Sequence, residues 1–104
     1  MGIWEASYML TQQLPSDERF GLVSQINSAS SSIPANIAVG SGRKGIKDQA
    51  RFIQFAFGSA YELETFLIGI IRLKLIEKSV VDEALSLIIE EQKMLSGYLK
   101  KLNT

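Results

Sequence analysis

The sequence predicts an all-α protein, an antiparallel up-and-down four-helix bundle. Apolar residues recur at spacings of three and four along four stretches, and Pro15, the glycine-rich run 40–45 and the boundary at 77–79 separate them. No segment alternates apolar and polar residues as a strand does. With 104 residues, 46% of them hydrophobic, the chain makes one domain over 1–104 with a single core.

In the first stretch, 3–13, Ile3, Ser7, Leu10 and Leu14 fall on one side, with Trp4 and Tyr8 beside them at i, i+4. Pro15 ends this helix. Ser16, Asp17 and Glu18 offer a cap and an acidic first turn for a second helix starting near Asp17. Leu22, Ile26, Ala29, Ile33, Ile37 and Gly40 hold one face in register, so helix two is expected to continue through Pro34, kinked there, with Ser30 and Ser31 serving the freed carbonyls.

Three glycines in 40–45 make the clearest loop. A third helix over 46–75, about 45 Å long at 1.5 Å per residue, implies an elongated bundle. Phe52, Phe55, Ser59, Leu63, Phe66, Ile70 and Leu73 form one of its stripes, and Ile53, Phe57, Ala60, Leu67 and Ile71 a second. One neighbour cannot cover both. The excess predicts a homo-oligomer whose interface includes Phe55, Phe57, Ala60, Leu67 and Ile71, with Gly58, Ser59 and Ala60 allowing close approach. Ser79 is the expected cap of a fourth helix, which turns Val81, Ala84, Ile88, Leu95, Leu99 and Leu102 inward.

The absence of histidine and cysteine removes the usual general base, the thiolate nucleophile and the commonest metal ligands, so no enzyme, metal site, cofactor or small-molecule substrate is expected. Glu62 and Glu64 diverge by about 200° on a helix and cannot form an acid/base dyad. Glu62 and Glu64 are each expected to pair with a helix N-terminus, Arg43 or Arg51. Gly40 and Gly45 have the spacing of a phosphate loop, but Ile46 and Lys47 stand where Lys and Ser or Thr are required. The longest apolar runs are far too short to span a membrane and Ala6 stands where an N-myristoylation signal has Ser or Thr, so a cytoplasmic protein without a membrane partner is expected.

Lys+Arg and Asp+Glu are both 11, yet the charge is uneven. Residues 42–61 carry Arg43, Lys44, Lys47 and Arg51 against Asp48, a local excess of three positive charges. These four residues are the candidate nucleic-acid contacts, and a solvated loop is the plain alternative.

Trp4-x-Ala6, Pro15-x-x-Glu18-Arg19-Phe20-Gly21-Leu22, Ser32-Ile33-Pro34-x-Asn36-Ile37-Ala38-x-Gly40-x-Gly42-Arg43, Gly58-Ser59-x-x-Glu62-Leu63-Glu64 and Met94-Leu95-x-x-Tyr98-Leu99 resemble the bacterial four-helix-bundle family, also called 23S ribosomal RNA intervening-sequence proteins. The resemblance implies four antiparallel helices, no catalysis and assembly into a homopentameric ring. It also implies, for a related retroelement accessory protein, binding of nucleic acid. Pro34, Asn36, Gly40, Gly42, Arg43, Gly58, Ser59 and Glu62 are the family-motif positions. The chain departs from the pattern at Asn27-Ser28-Ala29, where members carry paired basic residues, and at Val39, where they carry Glu. Two functions compete: association with RNA or a ribonucleoprotein through the basic loop, and a protein-interaction scaffold.

Overall fold

The computed structural model describes residues 2–103, apart from the side chains of Arg19 and Phe20, so expectations placed on those side chains, Met1 or Thr104 lie outside the described residues. Four α-helices follow one another: α1 (Ile3–Thr11), α2 (Ser24–Ser41), α3 (Ile46–Arg72) and α4 (Lys78–Leu102). There is no strand among the described residues. α2 packs against α1 and α3, and α4 against α3 and α1, so order along the chain is order around the bundle. Principal extents of 44 × 23 × 21 Å give the elongated shape that the length of α3 implies.

The entry to α2 differs from the sequence expectation. A 3-10 turn, Ser16–Glu18, and a π turn, Arg19–Val23, precede the α-helix, and the Glu18 N–H donates to the Pro15 carbonyl at 3.0 Å. Three-residue closure after Pro15 tightens the chain before α-helical spacing sets in. α2 is one helix through Pro34, as the periodicity requires. Proline has no N–H, which leaves the Ser30 carbonyl without its usual partner. The serines do not supply one: Ser30 Oγ donates to the Asn27 carbonyl and Ser31 Oγ to the Ser28 carbonyl, both at 3.2 Å and one turn too early.

Ile3, Leu10 and Leu14, Ile26, Ala29 and Ile33, and Val81, Ala84, Ile88 and Leu95 meet in the core as their spacing predicts. α3 corrects the two-stripe reading. Its buried residues are Ile53, Ala56, Ala60, Leu63, Leu67 and Ile70, a single three-four stripe drawn from both expected stripes plus Ala56. Ala60 and Leu67, expected between subunits, are fully buried within one chain and have no surface to offer a second copy. Phe55 is exposed, while Phe57 and Ile71 are half-buried against the core.

α3 ends at Arg72, before the expected residue 75. Lys74 takes φ 55°, its N–H donates to the Ile71 carbonyl, and the Leu75 N–H donates to that of Ile70, both at 3.1 Å. This is a Schellman closure with lysine at the left-handed position where glycine is usual. At the start of α4 the N-cap is Glu77 and Ser79 lies inside the first turn, so Ser79 does not cap the helix. Lys78 Nζ instead holds Asp82 Oδ2 at 2.8 Å.

Candidate nucleic-acid interface

The corner where α2 meets α3 is built from the glycine-rich stretch outward. Gly40 is buried, and a Cβ on it would stand 2.9 Å from Phe52 Cβ and 3.4 Å from the Gln49 carbonyl oxygen. Only glycine lets the end of α2 lie this close to the first turns of α3. Gly42 then ends α2, its N–H donating to the Val39 carbonyl at 3.2 Å. Gln49 Nε2 donates to the Arg43 carbonyl at 2.6 Å, tying the loop to α3.

The motif residues Ser32, Asn36 and Ser59 form a second tie lower on the same helix pair. Asn36 Nδ2 donates to the Ser32 carbonyl at 2.8 Å and approaches Ser32 Oγ at 3.4 Å, and Ser32 Oγ hydrogen-bonds Ser59 Oγ across to α3. The hydrogen bonds position the helices on which the basic residues stand. Gly58 faces open space; Glu62 is exposed with no partner among the described residues, and Glu64 accepts from Gln92 Nε2 at 3.0 Å, so neither carboxylate makes the expected pairing with an arginine or helix N-terminus.

The arginines are held by Asp48 instead. Arg51 Nη2 lies 2.8 Å from Asp48 Oδ1, and Arg43 Nε lies 3.6 Å from Asp48 Oδ2. Both guanidinium groups also sit over the Phe52 ring, at 4.7 Å for Arg43 and 5.1 Å for Arg51. One carboxylate and one ring thus fix two cations. Phe52 meets Phe55 edge to face at 5.6 Å, and Arg51 lies 5.9 Å from the Phe55 ring. Lys44 and Lys47 are exposed and carry no ion pair or hydrogen bond to the described residues. The four basic residues named from sequence therefore cluster on one corner, while Asp48, Phe52 and Phe55 complete it. Asp48 and Arg51 at i, i+3 were the available sign of the ion pair.

Elsewhere, a groove of about 230 Å³ runs between α1 and α4, lined by Ala6, Met9, Leu10, Gln13, Val80, Glu83 and Ala84. No group of three or more metal-ligating side chains occurs among the described residues. No helix among them is long and apolar enough to cross a membrane.

Short loops, four helices in order around one core and an α2–α3 corner knit through Ser32, Asn36, Gly40 and Ser59 define a four-helix-bundle protein. The model of the 23S rRNA-intervening sequence protein family matches residues 1–97. The chain belongs to that family. Its fold is similar to the crystal structure of a protein of unknown function from the S23 ribosomal protein family of Bacteroides thetaiotaomicron, with a TM-score of 0.81, 23% identity and coverage of 94% of this chain and 98% of that one. No protein of curated function matches the sequence. Nothing in the family description or the structural relative indicates an enzymatic activity.

Proposed function

We propose that the protein is a non-enzymatic, homo-oligomeric bundle that associates with RNA through the α2–α3 corner. One observation carries this reading: Lys44 and Lys47 stand exposed, without an ion pair among the described residues, beside two arginines that share a single carboxylate, so the segment 42–61 carries three net positive charges. Phosphates are the ligand such a surface attracts. Light scattering of the purified protein with added RNA tests the reading. An oligomeric mass that takes up RNA at low salt and releases it at moderate salt is expected, with log K falling against log salt at a slope of roughly −3 for about four single-strand phosphate contacts. A mass unaffected by RNA at low salt overturns it.

A second reading, a protein-interaction scaffold, rests on α1. Trp4, Tyr8 and Met9 are 52%, 58% and 58% exposed on a helix whose opposite face, Ile3, Ser7 and Leu10, packs inward, a large apolar surface for so short an element. Replacing Trp4 and Tyr8 by Ala separates the two readings, since it leaves RNA uptake intact if the basic corner is the binding surface.

A further inference from the structure

The corner is more than a patch of charge, because an aromatic ring continues the line of cations. Lys47, Arg51 and Phe55 follow at i, i+4 and i+8 on α3, about 6 Å apart along the helix axis. Phe55 is 49% exposed, next to Ile53 and Ala56, which face the core and are fully buried. It is not a loose side chain. The edge-to-face contact with Phe52 and the Arg51 guanidinium lying over the ring, 5.9 Å from its centroid, hold it, while no parallel ring among the described residues covers it. Phe52 is itself fixed by the close approach to Gly40 and by the two arginines above it.

Building on the RNA reading above, we propose that the ligand is single-stranded RNA and that Phe55 is the platform on which one unpaired base stacks. Lys44 and Lys47 then meet the phosphates of the flanking nucleotides, and Arg51 borders the stacked base. A cationic track ending in an exposed ring is how single strands are held without dependence on sequence, since every base offers a flat face. A duplex has no such use for the ring. Its bases are already stacked, and double-stranded RNA is recognised by shape across two successive minor grooves, a reach far beyond the roughly 12 Å from Lys47 to Phe55. Arg43 and Arg51 already lie over the Phe52 ring in the free protein, so the ring and its cationic border are in place before RNA arrives.

A ten-nucleotide RNA carrying one central 2-aminopurine, used single-stranded and annealed to its complement, tests this with the full chain. Stacking changes the fluorescence of the probe, and the titration gives the affinity. Phe55→Ala is expected to weaken single-strand binding about 10- to 100-fold and to abolish the fluorescence change, while Phe55→Trp restores both. Lys44→Ala with Lys47→Ala should flatten the salt dependence and leave the fluorescence change at saturation. Phe55 is half exposed, so circular dichroism of each variant is expected to match the parent.

Equal affinity of the parent for both RNA forms, or single-strand binding unaffected by Phe55→Ala, overturns the stacking proposal and leaves the RNA reading standing. Binding of neither form overturns both. If Phe55→Ala instead lowers the oligomeric mass in light scattering, the ring belongs to a subunit contact and the proposal is wrong.

Discussion

Gly40 and Phe52 are in such close register that a methyl group on the first would press against the β-carbon of the second, 2.9 Å away. Neither Phe52 Cβ nor the Gln49 carbonyl behind it is the free end of a flexible side chain. Gly40→Ala therefore has to push α2 and α3 apart at the corner. Overpacking of this kind is destabilising by about 1–3 kcal/mol, and the better helix propensity of alanine returns at most about 1. Gly58 is the control, because a Cβ there meets nothing within 4 Å. Gly58→Ala is expected to stabilise by about 0.5–1 kcal/mol. Urea midpoints for the two variants should move in opposite directions, and a Gly40→Ala protein as stable as Gly58→Ala would show that the corner is not tightly packed.

The close approach also marks where sequence reasoning succeeded and where it ran out. Gly40 was legible as a member of the inward face of α2, since spacing alone placed it with Ile33 and Ile37. In α3 the same method misplaced the core because Phe52, Phe55 and Phe66 are so apolar that they drew a stripe of their own. Burial follows volume as well as hydrophobicity: Ala56 and Ala60, small enough for a neighbouring helix to approach, occupy the inside, and Phe55 remains half outside. The basic cluster was legible as composition, while the shared role of Asp48 was not, because it depends on the loop bringing Arg43 back beside α3. The early end of α3 was hidden for another reason. Lysine carries none of the signals that mark a left-handed residue.

Lys74 holds φ 55° with a β-carbon that conformation disfavours. Glycine adopts it freely, and the two hydrogen bonds that close α3 involve only backbone atoms. Lys74→Gly is expected to stabilise the fold by about 0.5–1 kcal/mol, raising Tm by a few degrees in a domain of this size. A fall in Tm would mean that the lysine side chain contributes more than its backbone strain removes.

Ser7 occupies the inward face of α1 with its Oγ fully buried and without a hydrogen-bond partner among the described residues. A buried hydroxyl left unpaired is destabilising by about 1–3 kcal/mol. Ser7→Ala removes the oxygen, adds helix propensity and leaves too small a gap to matter. Stabilisation by about 1 kcal/mol is expected in chemical denaturation. A loss of stability would reveal that the hydroxyl is satisfied in solution, by a water or by a subunit neighbour.

Asp48 separates fold from function at the basic corner. Its ion pairs with Arg43 and Arg51 are largely solvent-exposed, and such pairs contribute between zero and about 1 kcal/mol. Asp48→Asn should therefore change stability little, and the asparagine oxygen can still accept from Arg51. The charge of the segment 42–61 rises by one, and both arginines lose the anion that competes with phosphate for them. RNA binding is expected to tighten several-fold at low salt, with a salt dependence steeper by less than one unit of slope. Should the variant bind RNA no better than the parent while remaining folded, the arginines do not reach phosphate, and Lys44 and Lys47 alone carry the charge that matters.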